Sequence, residues 1–400
     1  MSASPARAPS VTYLDHGSTS PVRPEVADAM APFATARFGN ASGAHRMARD
    51  ARRALEEARE TVAGVLGSAP AEVVFTGGGT ESDNLAVLGV LAAAVERGDR
   101  WPTVVCSAVE HAAVLEPCRA AAKGSARLAG VPAVVVREVG VDPDCVVDLD
   151  ALEAALDPSV ALVSVMLANN EVGTLQPLAE VVARVRRMAP GAAVHTDAVP
   201  AAPFVDLAAA AAGADLISVS AHKLGGPKGS GALVVREGTV VRPLLHGGGQ
   251  ERERRSGTHD VAGAVGLATA LADAARTRLS ESARVAALRD RLADGLLAAV
   301  DGVVESVDRR RVLPGHCHLR VTGVEQEELL VLLDDGGVCA SAGAACASGA
   351  LEPSHVLGAM GVGPADARSA VRFTLGHTTT GDDVDRALAV IPGAVARLRR

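Results

Sequence analysis

The sequence predicts an α/β protein with a mostly parallel, seven-stranded sheet in a large domain and a smaller α/β domain at the C-terminal end. Between residues 72 and 235, short runs rich in β-branched residues alternate with helix-length segments, which is typical of a parallel sheet covered on both faces. The chain has 400 residues, which exceeds the length that a single hydrophobic core usually supports. From about residue 259 the pattern changes to a long helical stretch followed by mixed elements. We therefore expect domains over 12–258 and 259–400, and the N-terminal segment can pack with the second.

The individual elements follow from the spacing of apolar residues. After an extended start at 12–14, apolar positions recur at helical spacing over 45–66 and stop at Gly67, which predicts the first helix. The predicted strands of the sheet are 72–76, 103–107, 133–137, 160–166, 193–196, 215–219 and 231–235. The helix-length segments between them include 80–95, 110–122, 149–156 and 177–188. In the second domain we expect a helix over 261–300 and strands over 316–321 and 369–375.

Composition and charge narrow the class of protein. The net charge of −8 argues against nucleic acid as the main ligand, because phosphate backbones attract basic surfaces. Apolar stretches fall short of the roughly 20 residues that a membrane span requires, and the N-terminus has no apolar signal region, so we expect a cytoplasmic protein. The six cysteines lack the paired spacing of zinc sites and fit a reducing compartment. The run His316-Cys317-His318 is better explained as the beginning of a strand than as a metal site, because successive side chains of a strand point to opposite faces.

Polar residues directly follow several of the predicted strands, where ligands bind in parallel α/β sheets. Residues 77–80, GGGT, join a strand to a helix and fit either a phosphate site or a plain turn capped by Thr80. Asp197 follows the fifth strand and is either the partner of a cationic ring nitrogen or a helix cap. His111 follows the second strand, and ring stacking, proton transfer and a purely structural role are all open for it.

Two side chains stand out as potentially reactive. Only three of the 39 basic residues are lysines, and both Lys223 and Lys228 lie in the loop SAHKLGGPKG. A lysine offers an amine of accessible pKa where arginine cannot, although Lys223 alone is equally well explained as a surface residue. Cys346 lies in ASAGAACASGA, where small neighbours leave its sulfur unobstructed. Taken alone, this segment favours a small-residue helix with an inert buried cysteine.

Taken together, these motifs resemble the group I cysteine desulfurases of the NifS and IscS type, fold-type I pyridoxal-phosphate enzymes of the class V aminotransferase family. The resemblance runs from residue 13 to residue 377, and the motifs stand in the family's order. They are YLDHGSTSPV, FGNASGAH, FTGGGTESDN, VEHAAVL, ANNEVGT, HTDA, SAHKLGGPKG, HGGGQERERRSGT, SAGAACASGALEPSHVL and VRFTLGH. The resemblance implies removal of sulfur from L-cysteine, giving L-alanine and a persulfide on Cys346, which a mobile loop of group I length would carry. Cys339 precedes that loop and is the less suitable nucleophile.

The resemblance also implies roles for single residues around the cofactor. Lys223 would bind pyridoxal 5'-phosphate covalently and move the proton at the substrate Cα. Asp197 would pair with the pyridine nitrogen, while His111 would stack on the ring and assist proton transfer at sulfur. The implied phosphate cradle comprises Gly79, Thr80, Ser220 and His222.

Further implied roles concern the substrate and the partners of the chain. Asn170 and Arg372 would hold the substrate carboxylate, Arg372 through a two-pronged pair. Thr258 would reach the phosphate of the partner subunit, which implies a homodimer with shared active sites. The sulfur would pass to acceptor proteins, either an iron–sulfur scaffold or an enzyme of thiolation.

One position departs from the family pattern. Three residues after Asp197 the family usually has a glutamine that donates a hydrogen bond to the cofactor's phenolate oxygen, and here Pro200 has no side-chain donor. Two other functions stay open: a different enzyme on the same fold, such as a selenocysteine lyase, a C–S lyase or a class V aminotransferase, and a catalytically weak scaffold for sulfur acceptors. Lys223 and Cys346 favour the desulfurase.

Overall fold

The computed structural model describes residues 11–99, 101–125, 134–342 and 354–400. The strands are β1 (Thr12–Tyr13), β2 (Val73–Thr76), β3 (Thr103–Ser107), β4 (Val135–Val139), β5 (Val160–Ser164), β6 (Ala193–Asp197), β7 (Leu216–Ser220), β8 (Gly231–Val235), β9 (Val303–Glu305), β10 (His316–Val321), β11 (Val338–Cys339) and β12 (Ala370–Thr374). The helices are α1 (Pro24–Ala34), α2 (Arg46–Leu66), α3 (Gly79–Glu96), α4 (Ala112–Ala122), α5 (Leu149–Ala154), α6 (Leu178–Met188), α7 (Leu207–Ala210), α8 (Val261–Ala299), α9 (Gln326–Asp335), α10 (His355–Ala359), α11 (Pro364–Ala367) and α12 (Gly381–Leu398).

Seven strands form the main sheet in the spatial order β2-β8-β7-β6-β5-β3-β4. The strands from β7 to β4 pair in parallel, whereas β8 is antiparallel to both of its neighbours. The link between β7 and β8, residues 221–230, is too short for the crossover that a parallel pair requires, so the chain reverses direction there. The predicted α/β class with a mostly parallel seven-stranded sheet is confirmed.

The predicted elements lie close to the observed ones, with instructive differences at their ends. The strand predicted over 160–166 ends at Ser164. Beyond it, the Met166 amide donates its hydrogen bond to the buried Glu110 side chain at 2.5 Å instead of to a neighbouring strand. Helix α3 begins at Gly79, one residue before the predicted start. Helix α1 was not predicted from the sequence, although it begins at a proline, a residue favoured in the first helical turn.

Four hydrophobic cores organise the described part of the chain, and the smallest of them packs α10 against Val109 and Val172. Two of them flank the seven-stranded sheet, and a third lies against the antiparallel sheet β12-β10-β9. Helix α8 contributes its first half to one core of the large sheet and its second half to the third core. Strand β1 pairs with β11, which brings the N-terminal segment to the C-terminal part of the chain. The division into domains at residue 258 stays a prediction. Within the described ranges, no helix combines the length and the apolar character that crossing a membrane requires.

Candidate active site

A cavity of about 270 Å³ opens where β6 and β7 end and α3 begins. Most of the residues predicted for the site line this one cavity: Gly79, Thr80, His111, Asn170, Asp197, Ser220, His222, Lys223 and Arg372. Thr258 is exposed and does not line it, and Cys346 lies outside the described residues. The carboxyl ends of neighbouring strands meet at one edge of a sheet, which explains how residues far apart in the sequence converge.

The start of helix α3 forms one end of the cavity. Gly78 precedes the helix with φ of 134°, a conformation that side chains disfavour, and no side chain caps the first turn. The backbone N–H groups of a first helical turn have no partner within the helix, and they attract anions. A Cβ atom on Gly79 would lie 3.0 Å from Val199 Cγ2, so the absence of a side chain lets the helix start approach the loop after β6.

Asp197 closes β6 and is almost fully buried. Its Oδ1 accepts a hydrogen bond from the Val199 amide at 2.8 Å. Burial, together with the nearby carboxylate of Asp83, raises the pKa of Asp197 to about 8. A cation placed against this carboxylate would restore its ionised form.

Asp83 is a lining residue that sequence reasoning missed. It is 1% exposed, and its Oδ1 lies 3.5 Å from Nε2 of the buried His195. The signal was present in the motif TESDN, because residues four positions apart on a helix share a face and Asp83 follows Gly79 by four.

His111 lies shortly after the end of β3, and Lys223 lies shortly after the end of β7. His111 caps α4, and its Nδ1 accepts a hydrogen bond from the Ala113 amide at 3.1 Å. Burial and the Lys223 cation lower the pKa of His111 to about 4, so the ring is neutral and carries its proton on Nε2. Lys223 ends the helical turn Ala221–Lys223 that follows β7, and its carbonyl oxygen accepts a hydrogen bond from Ser20 Oγ at 3.3 Å.

Arg372, in β12, brings a buried cation to the cavity. Its Nη1 donates to the Asn170 carbonyl at 2.9 Å. Its Nη2 donates to Asp15 Oδ1 at 2.9 Å and to Ser18 Oγ at 2.8 Å. These contacts fix the plane of the guanidinium from two separate parts of the chain. The role of Asp15 was missed, although its motif YLDHGSTS is a polar run directly after β1.

The lining residues fit a phosphorylated pyridine ring. Asp197 would hold a protonated ring nitrogen, since the buried carboxylate needs a cationic partner. The first turn of α3, with Thr80, would hold the phosphate, and Lys223 supplies the primary amine that carbonyl cofactors require. Neutral His111 offers a flat ring that stacks without adding charge.

Comparison with known proteins agrees with this assignment. The family model for aminotransferase class-V matches residues 12–387. The chain is 46% identical over 394 residues, 98% of both chains, to an IscS-like cysteine desulfurase of Mycobacterium tuberculosis. It is 41% identical to the cysteine desulfurase IscS of Dictyoglomus turgidum over 97% of this chain and 95% of that one. A solved NifS-like protein superposes with a TM-score of 0.88 at 34% identity, covering 97% of this chain and 100% of the other. The chain therefore belongs to the aminotransferase class-V family, whose members depend on pyridoxal phosphate.

Proposed function

We propose that this protein is a cysteine desulfurase, which converts L-cysteine to L-alanine and keeps the sulfur on its own Cys346. The observation that carries the proposal is the convergence of Lys223, Asp197, His111 and Arg372 on one cavity. Relatives at 41 to 46% identity over nearly the whole chain are named cysteine desulfurases, which supports the same reaction here.

When bound, pyridoxal phosphate supplies an electron sink that stabilises negative charge at the substrate Cα. Lys223 would hold the cofactor through its amine and would move the proton at the substrate Cα. Asp197 holds the ring nitrogen in its protonated form. His111 assists proton transfer at the substrate sulfur through Nε2, because its Nδ1 already accepts a hydrogen bond from the Ala113 amide.

Arg372 and Asn170 bind and orient the substrate carboxylate. The guanidinium is 2% exposed and is held by Asp15 and Ser18 on one side and by the Asn170 carbonyl on the other. A side chain fixed in this way loses little rotamer freedom on binding, which favours one orientation of the amino acid. The α-amine of the substrate then points towards Lys223.

Sulfur transfer follows from attack of the Cys346 thiolate on the substrate Sγ. The new S–S bond forms as the Cβ–Sγ bond of the substrate breaks, its electron pair stays with the carbon fragment, and two protonations of that fragment give alanine. The five described cysteines suit this step poorly, since four are buried and burial raises the pKa of Cys339, the fifth. Their chemistry supports Cys346, which lies outside the described residues, as the nucleophile.

The proposal extends to assembly and partners. Thr258 is exposed and does not line the cavity of its own chain, which supports a role at the phosphate of a second subunit in a homodimer. The persulfide sulfur passes to an acceptor protein, an iron–sulfur scaffold or a thiolation enzyme. All described cysteines are free thiols, which supports a reducing, cytoplasmic setting.

The test is turnover of L-cysteine by purified protein loaded with pyridoxal phosphate, with a thiol reductant present. We expect equal amounts of alanine and sulfide, and we expect Cys346→Ala to abolish both while leaving the visible absorbance of the cofactor intact. Cys339→Ala is the matched control and should retain at least half of the activity. Full activity in Cys346→Ala would contradict the desulfurase and favour another reaction on this fold.

A further inference from the structure

A second, smaller cavity of about 40 Å³ adjoins the active-site cavity. The two share four lining residues: Gly17, Asn170, Pro200 and Lys223. We call the smaller one the side cavity. A water molecule needs about 10–15 Å³ of such space, so the side cavity has room for about three or four waters.

His316 gives the side cavity an unused hydrogen-bonding group. It is the first residue of β10 and is 5% exposed. Its ring contacts the Asn170 backbone, but the contact falls short of good hydrogen-bond geometry, and neither ring nitrogen has a well-aligned partner among the described residues. Burial and the cations of Arg372 and Lys223 lower its pKa to about 3, although the Asn170 backbone opposes the shift. The neutral ring therefore presents one donor and one acceptor nitrogen, and burial of either without a full hydrogen bond is unfavourable.

His316 differs from His16, a second histidine of the side cavity, in having no well-aligned partner for its ring nitrogens among the described residues. His16 also lines the side cavity, but its Nδ1 contacts Ser20 Oγ at 2.9 Å and its Nε2 contacts Thr378 Oγ1 at 3.1 Å. Pro200 lines both cavities and has neither a side-chain donor nor an acceptor. The boundary between the cavities is therefore apolar at Pro200 and flanked by a buried imidazole with free hydrogen-bonding capacity.

We infer that the side cavity binds ordered water held by His316, and that this water hydrogen-bonds to the cofactor at the wall where Pro200 offers no donor. The inference rests on the proposed function only in taking pyridoxal phosphate as the occupant of the larger cavity. His316 is then a positioning residue, which acts through water rather than by touching the reacting atoms. Water bound in this way satisfies the imidazole and the cofactor together.

The test compares His316→Phe with His318→Phe. His318 is the matched control, because it is a buried histidine on the same strand that does not line either cavity. We expect His316→Phe to raise the apparent Kd for pyridoxal phosphate about fivefold, the worth of one net hydrogen bond, and to shift the pH titration of the visible band. His318→Phe should change both by less than twofold.

A coupled substitution separates the water from general damage to the fold. Pro200→Gln brings a carboxamide to the same wall, so His316→Phe should change the Kd by less than twofold in that background. His316→Asn keeps a donor and an acceptor and should stay within about twofold of the parent, which keeps the test valid if the phenylalanine variant folds poorly. In crystals of the cofactor-bound enzyme, a water should lie within hydrogen-bond distance of a His316 nitrogen.

Three results would overturn the inference: an unchanged Kd in His316→Phe, an equal loss with and without Pro200→Gln, or a dry side cavity in the crystal. Failure of the proposed function would look different. A parent enzyme that binds pyridoxal phosphate but forms no alanine from cysteine would contradict the desulfurase, while the binding comparison at His316 would still decide the role of the side cavity.

Discussion

Removing Glu251 should destabilise the fold strongly, because its carboxylate forms a buried ion pair at the base of the segment that carries Thr258. Its oxygens each lie 2.8 Å from a guanidinium nitrogen of Arg59, and both side chains are 2% exposed. The Phe75 amide donates to Glu251 Oε2 at 2.8 Å, and His259 Nε2 lies 3.1 Å from Oε1. Glu251→Ala would leave the buried Arg59 cation without its bidentate partner, and the half-exposed Glu56 carboxylate, 3.3 Å from Arg59 Nε, would compensate it only in part.

Two routes give a similar magnitude for this loss. Breaking a buried pair by removing one partner costs about 3–5 kcal/mol. Burial opposes ionisation of Glu251, but hydrogen bonds from Arg59 and His259 outweigh it and lower its pKa from 4.5 to about 2, which corresponds to about 3 kcal/mol. Since the folded pKa is depressed, this stabilisation is complete above about pH 4.5 and is lost as the pH falls towards 2.

The assay is urea denaturation at pH 7, followed by circular dichroism, with the same cofactor loading for every variant. Asp50→Ala is the matched control, because the Arg37–Asp50 pair has the same 2.8 Å separation but side chains that are 37% and 36% exposed. The control should leave the midpoint nearly unchanged. A loss below about 1 kcal/mol in Glu251→Ala would refute the reasoning, since a well-paired buried charge cannot be removed so cheaply.

Further predictions concern the active site. Lys223→Ala should lose alanine formation at least a thousandfold and release the cofactor on gel filtration, whereas Lys228→Ala, at an exposed position in the same loop, should do neither. Because the pKa of Asp197 in the folded protein is raised to about 8, the stability of the cofactor-free protein should fall as the pH rises towards 8. Asp197→Asn should flatten this dependence of Tm on pH. An unchanged slope in the variant would contradict the raised pKa of Asp197. Arg372→Lys should raise KM for cysteine about tenfold or more with a smaller change in kcat, and an unaltered KM would exclude its carboxylate role.

The main sheet and most of the cavity could be predicted from the sequence for one physical reason. Parallel strands place their carboxyl ends at a single edge, so Asp197, Ser220 and Lys223 had to lie together once the strands were recognised. Asp83 required one further step, the helical repeat from Gly79. The motifs taken together indicated the chemistry of the site, which no single residue was sufficient to indicate.

Other features depend on contacts between distant segments, which local patterns do not report. Arg59 and Glu251 meet across 192 positions, and Asp15 reaches Arg372 across 357. The pairing of His316 with a small cavity likewise brings β10 together with Asn170 and Pro200, which follow two different strands of the main sheet. Such contacts are set by packing of the whole fold, and periodicity within one element carries no record of them.

Mass spectrometry of the protein after brief incubation with L-cysteine tests the central claim most directly. The peptide that contains Cys346 should gain the mass of one sulfur atom, the gain should disappear on reduction, and neither Lys223→Ala nor Cys346→Ser should show it. Sulfur on Cys339 instead, distinguished from Cys346 by fragmentation within the shared peptide, or alanine formed while Cys346 stays unmodified, would contradict the desulfurase account.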